Sequence, residues 1–354
     1  MRLNMGKIKN VIRDGKQGRR IPWIIVWALL LLSSCVTTGT SPEGTGDIRQ
    51  QQKAHVFRSD DYILYELQGG ETSKTLARDF LGDPGKSWLI EDHNQGVSYA
   101  KGQRVVIPLK EEFRGGLTIN GYQKVPILVY HTFGRNCRSS LCVPAQAFDE
   151  QMAYLKSHDY RVISLRDLVG FLKLEKAIPK KAVVITIDDG YRSAYDIAFP
   201  ILQKYGFTAT LFIYTDFVDI PRSSVTWEQL EEMKSSGFEV GSHTLSHCDL
   251  SKRLKNENEE AYLKRVEKEL VLSKKMIDEK LRQNTIAIAF PYGAYNRTIL
   301  AISEKAGYKL ALSVKRGGNP FFADPLTLRR TQMLGKDLDY LIKRLDTFHT
   351  LSLR

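Results

Sequence analysis

Ala182-Val183-Val184-Ile185-Thr186-Ile187-Asp188-Asp189-Gly190-Tyr191 is the stretch that decides the fold. It is a nearly unbroken apolar, β-branched run that ends abruptly in two carboxylates and a glycine. A strand with no polar alternation is buried on both faces, as strands of a parallel sheet are. Working outward, Pro126 to Tyr130, Ala209 to Tyr214, Glu239 to Ser242, Ile286 to Phe290 and Leu310 to Ser313 read as further strands. Helices are expected between them over Phe148 to His158, Ser193 to Tyr205, Trp227 to Ser236, Glu259 to Leu281 and Arg297 to Ala306. This alternation over residues 121 to 345 implies an α/β domain with a parallel sheet, closed or open. If it closes as a barrel, function should collect at the strand exits.

The chemistry-bearing residues do follow strand ends. Asp188 and Asp189 are adjacent, so their side chains leave the strand on different sides and can do different work; a plain Asp-Gly turn is the bland alternative. Glu239-Val240-Gly241-Ser242 leads into His243-Thr244-Leu245-Ser246-His247. On a helical turn, histidines four apart share one face. Two neutral imidazoles and a carboxylate make a three-ligand divalent site with an open position, the catalytic rather than the structural arrangement. Ala289-Phe290-Pro291-Tyr292-Gly293 reads as a groove wall or a plain turn. Pro126 to His131 ends the first strand of the domain in a histidine.

Thr186 to Gly190, His243 to His247 and Phe290 to Gly293 resemble three motifs of the polysaccharide deacetylases, the NodB-homology domain of carbohydrate esterase family 4. The resemblance covers residues 121 to 345 and implies a distorted (β/α) barrel. It also implies that Asp189, His243 and His247 hold a divalent metal, most often Zn2+, and that Asp188 is the general base. The backbone N–H of Tyr292 becomes an oxyanion donor by the same likeness. Where the family commonly has an arginine this chain has Ala289, and it lacks the late Leu-x-His motif. Both departures, with the string Pro-Ile-Leu-Val-Tyr-His, are similar to the branch acting on poly-N-acetylglucosamine exopolysaccharides. That likeness makes His131 the general acid and Arg330, in Leu328-Arg329-Arg330, the replacement for the missing arginine.

The ends of the chain carry other signals. Residues 1–34 run from a basic region through the apolar Ile21 to Leu32 to Ser33-Ser34, a secretory signal layout. Cys35 then resembles the lipidated cysteine of a bacterial lipoprotein; the alternative is an uncleaved signal anchor. This leader supplies half of the formal net charge of +12, so no nucleic-acid-binding stripe is expected in the remainder. Residues 35–60 read as a flexible tether to the membrane. Within 61–110, Tyr65-Glu66-Leu67, Gly69-Gly70-Glu71-Thr72, Leu76-Ala77, Asn94 and Lys101-Gly102-Gln103-Arg104 resemble a LysM carbohydrate-binding module of βααβ form. A packing module without a ligand is the alternative. Of four cysteines, Cys137 and Cys142 can pair in an oxidising compartment, with a zinc clip as the rival. Cys248 is expected to be a buried free thiol.

The leading expectation is an exported, lipid-anchored enzyme that removes acetyl groups from N-acetylglucosamine residues of peptidoglycan or an exopolysaccharide. An inactive cell-wall-binding lipoprotein is a rival, but the complete Asp188, Asp189, His243 and His247 set speaks against it. A glycosidase would need carboxylates flanking a cleft rather than adjacent in sequence.

Overall fold

The computed structural model describes residues 55–110, 115–118, 120–335 and 337–350. The stretch read as a signal sequence, 1–34, with Cys35 and the expected tether as far as residue 54, lies outside the described residues.

The small N-terminal element has three antiparallel strands, β1 (His55–Arg58), β2 (Tyr62–Glu66) and β3 (Arg104–Pro108), in the order β1-β2-β3. Helices Ser73–Leu81 and Ser87–His93 connect β2 to β3. The βααβ path is therefore present, with β1 added outside β2. That extra strand falls within the stretch read as tether, because its few residues carry no alternation strong enough to announce it. Thr72 starts the first helix through a reciprocal box with Thr75, and Gly82 at φ 71° ends it. The stretch from Gly82 to Lys86 winds into the single turn Pro84–Lys86. Ile63, Leu67, Leu76, Ile90, Val105 and Ile107 form the core. Asn94 fastens the second helix to β3: its Nδ2 donates to Ile90 O (2.6 Å) and Val106 O (2.7 Å), and its Oδ1 accepts from Val106 N–H (2.8 Å).

The main sheet begins with β4 (Leu117–Thr118) and the long β5 (Gly121–Tyr130). After β6 (Thr132–Gly134), β7 (Cys142–Pro144) and β8 (Arg161–Val162), the parallel strands follow as β9 (Ala182–Ile187), β10 (Thr210–Ile213), β11 (Glu239–Ser242), β12 (Ala287–Ala289) and β13 (Leu310–Leu312). They lie in the order β13-β12-β11-β10-β9-β5. The sheet then curls back on itself. Leu312 bridges Leu328 in parallel, and the next strand, β15 (Thr331–Gln332), pairs with Leu128 and Val129 of β5. Antiparallel β14 (Gly318–Pro320) and β16 (Phe348–Thr350) add to β5 outside this ring. The result is a distorted (β/α) barrel.

Strand alternation divides its core in two. Val184, Ile127, Phe212, Ala289 and Leu312 pack together on one face, while Val183, Ile185, Ile187, Leu128 and Tyr130 meet the helices on the other. The expected helix from Ser193 is irregular: residues Ala194–Ala198 form a π turn before the α-helix Phe199–Tyr205, whose Pro200 lies at its start. Among the described residues, the small element meets the barrel at the starts of its strands. Glu91 pairs with Arg161, the first residue of β8, and Lys180 N–H donates to Asp92 Oδ2 (3.2 Å) just before β9.

Asn94→Ala leaves both the N–H and the C=O of Val106 without their side-chain partner. It is expected to destabilise the small element by about 1–3 kcal/mol. Denaturant unfolding followed through Trp88 fluorescence reads this; an unchanged midpoint refutes the pinning role.

Candidate metal and acid–base site

The parallel register brings the strand exits together. Tyr130 of β5 is opposite Ile187 of β9, and Asp188 N–H donates to Tyr130 O (2.9 Å), so His131 and Asp188 emerge side by side. Ile213 of β10 is opposite Ser242 of β11, and His243 N–H donates to Ile213 O (2.7 Å). Asp188 continues the side of β9 that carries Val184 and Thr186, so it points into the ring. Asp189 turns the other way at φ 76°.

Asp188 is almost fully buried, with Arg330 fully buried beside it. The guanidinium grips the carboxylate with two parallel bonds, Nη1 to Oδ1 and Nη2 to Oδ2, each 2.7 Å. Arg330 is itself held by Nε donating to Ser313 O (2.9 Å) and Nη1 donating to Thr186 Oγ1 (3.2 Å). Burial pushes the Asp188 carboxyl up, but the charge and hydrogen bonds of Arg330, together with His243 and His131, outweigh it and hold the group below the usual carboxylate range. Burial pushes His131 the opposite way, below the usual imidazole range, while Asp188 and Asp189 work against that shift. The His131 Nδ1 atom is buried without a hydrogen-bond partner.

Asp189 faces both histidines. Its Oδ1 lies 3.4 Å from His243 Nε2 and 3.2 Å from His247 Nε2. The ligand atoms of the three groups all lie within 4.8 Å of one another. His243 Nδ1 is 2.7 Å from Ala289 O, and since a carbonyl only accepts, that nitrogen carries the hydrogen. In the neutral ring, Nε2 then presents its lone pair to Asp189, as a metal-ligating histidine does. Asp189 Oδ1 has no properly directed hydrogen bond despite its burial. An orphaned carboxylate oxygen facing two imidazoles fits a divalent cation better than it fits a hydrogen-bonded cluster.

His243 to His247 is not the helical turn that its spacing suggests. It is a strained turn with Thr244 at φ 74° and His247 at φ 61°. Non-glycine residues in this region cost about 1–3 kcal/mol each, and here the strain buys convergence on Asp189. Tyr292, at φ 59°, sits in the same region, the residue 66% exposed and its ring 5.1 Å from that of His247. Gly293 must remain glycine, because a Cβ there would meet Val314 N at 2.6 Å in a left-handed backbone. Tyr214 flanks His247 from another direction at 5.1 Å and stacks on Phe217, an aromatic edge that the sequence reading passed over.

Cys137 and Cys142 are joined by a disulfide across the loop between β6 and β7, just after His131, so their sulfurs are bonded to each other rather than to zinc. Cys248 corrects its expectation: it is half-buried, because the chain leaves the core at His247, and its Sγ lies 3.8 Å from Arg265 Nη1.

A family model described as polysaccharide deacetylase matches residues 175–311. The poly-beta-1,6-N-acetyl-D-glucosamine N-deacetylase of Staphylococcus aureus is 31% identical over 212 residues, 58% of this chain and 73% of that protein. The chain belongs to the polysaccharide deacetylase family. The Bacillus subtilis protein YxkH is 32% identical over 194 residues, 55% of this chain and 66% of that protein. Among solved structures, Streptococcus pyogenes deacetylase PplD in complex with acetate is 30% identical with a TM-score of 0.57, covering 63% of this chain and 98% of that one. The barrel of this family member is thus of the NodB type.

Arg330→Met removes the charge that holds Asp188 low, leaving burial to raise its carboxyl. The acidic limb of a kcat/KM profile is expected to move to higher pH, with folding weakened by about 3–5 kcal/mol for the unpaired buried carboxylate. Arg330→Lys keeps the charge without the fork and should shift the limb less. A limb that stays put in both variants refutes the pairing as a determinant of Asp188.

Proposed function

We propose that this chain is a metal-dependent deacetylase acting on N-acetylglucosamine residues of a polysaccharide, with β-1,6-linked poly-N-acetylglucosamine as the substrate class. One observation carries the reading: two adjacent aspartates have separate partners, Asp188 the buried Arg330 and Asp189 the two histidines. The substrate class is supported by the likeness to the Staphylococcus aureus relative, by the departures at Ala289 and the missing late Leu-x-His motif, and by the string that ends in His131.

Asp189, His243 and His247 would hold the metal, and an N2O donor set with an open position suits Zn2+. When bound, such an ion polarises an amide carbonyl and acidifies water. The residues of the chain do the rest. Asp188, ionised and fixed by Arg330, takes a proton as water oxygen bonds to the acetyl carbon. The backbone N–H of Tyr292 donates to the oxyanion. The imidazolium form of His131, made a stronger acid by burial, gives its proton to the departing nitrogen as the C–N bond breaks, and acetate leaves.

Export and lipid anchoring through Cys35 belong to this reading, supported by the layout of residues 1–35. The small N-terminal element would contribute carbohydrate contacts, supported by its βααβ path alone. Partners are then a glycan and, through the lipid, a membrane; no nucleic acid is called for.

Acetate release measured in parallel from poly-β-1,6-N-acetylglucosamine, peptidoglycan and chitin oligomers tests the substrate class. The first is expected to be fastest; a clear preference for peptidoglycan overturns that part.

Variants test the division of labour. Asp189→Asn should lose bound metal and activity together, because an amide oxygen is an uncharged, weaker donor. Asp188→Asn and His131→Ala should keep metal near one equivalent and lose roughly 10²–10⁴ in rate. Elemental analysis beside acetate release reads both, and near-normal turnover in Asp188→Asn refutes the base.

A further inference from the structure

Glu269 is a carboxylate where the sequence pattern calls for an apolar residue. It lies on the helix Glu259–Leu281 among the buried Val266, Leu270, Ser273 and Ile277 and is 7% exposed. Burying a charged carboxylate is unfavourable unless it is fully hydrogen-bonded. Among the described residues, its hydrogen-bond partners lie between the two site histidines. Its Oε2 accepts from the backbone N–H of Leu245 (3.0 Å) and Ser246 (2.9 Å), and its Oε1 accepts from Ser246 Oγ–H (2.7 Å).

Other polar groups of that turn are taken as well. Thr215 N–H donates to Thr244 O (3.3 Å) and Asp216 N–H to Leu245 O (2.9 Å). Ser242 Oγ accepts from Thr244 N–H (3.1 Å), and Thr244 Oγ1 accepts from His247 N–H (3.1 Å). A turn with two non-glycine residues at positive φ persists only where its surroundings over-determine it. Among the described residues, Glu269 supplies the one hydrogen-bonding contact to this turn that comes from a distant helix and carries charge.

We infer that Glu269 is the positioning residue of the metal site: it holds the His243 to His247 turn in the shape that brings both imidazoles to Asp189, and so sets the affinity for a divalent cation. The inference rests on the metal reading proposed above. Outer partners of metal ligands typically contribute 10–100-fold in affinity.

The test uses the full chain, purified in detergent, with Zn2+ as the probe. Zn2+ affinity is measured by chelator competition for wild type, Glu269→Gln, Glu269→Ala and Ser246→Ala, with Asn94→Ala as a destabilised variant remote from the site. Glu269→Ala should bind Zn2+ about 10–100-fold more weakly, with Glu269→Gln partly rescued and Ser246→Ala shifted the same way by less. Asn94→Ala should keep wild-type affinity, which separates positioning from general loss of stability. Hydrogen exchange at the Leu245 and Ser246 amides should speed up in both Glu269 variants without added metal. If Glu269→Ala does not fold, Glu269→Gln and Ser246→Ala decide. Wild-type Zn2+ affinity in the folded variants, or unchanged exchange at those amides, overturns the inference. If the wild-type protein binds no Zn2+, the metal reading fails, and exchange at Leu245 and Ser246 still shows whether Glu269 fixes the turn.

Discussion

The site depends on a single buried ion pair, Arg330 with Asp188. Both side chains are removed from water, so each is tolerable only with the other in place and with its remaining hydrogen-bonding capacity occupied. Ser313 O and Thr186 Oγ1 occupy that of Arg330. The pair is also tied to barrel closure. Arg330 lies between Leu328, which bridges β13, and Thr331, which pairs with β5. The guanidinium therefore reaches Asp188 only because the last segment closes the ring. Such a pair is a poor source of net stability, and its consequence is chemical: one carboxylate is kept ionised, immobile and unavailable as a metal ligand.

That constraint frees Asp189 for the opposite role. The chain reverses at φ 76° immediately after Asp188, which carries the second carboxylate away from the lumen and toward β11. Backbone strain also falls on the site itself, at Asp189, Thr244, His247 and Tyr292. Regular strands deliver the backbone to the rim, and irregular residues aim the side chains. A rigid sheet beneath strained turns is a preorganised arrangement, in which the groups need little rearrangement to act.

The small N-terminal element occupies the other edge. Its contacts to Arg161 and Lys180 fall at the starts of β8 and β9, whereas Asp188 follows the end of β9. A strand of this length spans roughly 20 Å at about 3.3 Å per residue. The small element and the acid–base site thus stand at opposite ends of β9, separated by the depth of the barrel.

Much of this was legible in the sequence, because it is local. A parallel-sheet strand announces itself by unbroken apolar residues, and the motif residues stand at its exit, so β9, β11, Asp188, Asp189, His243 and His247 could be read directly. The likeness of those motifs to a family supplied roles that spacing cannot. What the sequence left open depends on distance along the chain. Arg330 is 142 residues from Asp188; the likeness to a family branch singled it out, but no local pattern sets it apart from Arg329, and ring closure is what carries it to the carboxylate. Four-residue spacing suggested a helical turn for the histidines, but hydrogen bonds from Glu269 and from the residues after β10 favoured a strained turn instead. Glu269 had left a faint signal, a charge on an otherwise apolar helix stripe. Sequence thus determined which groups the site would contain, since each follows a strand whose burial pattern is written locally. Tertiary structure decided which carboxylate meets arginine and which meets histidine, since that depends on where a closed sheet places residues far apart in the chain.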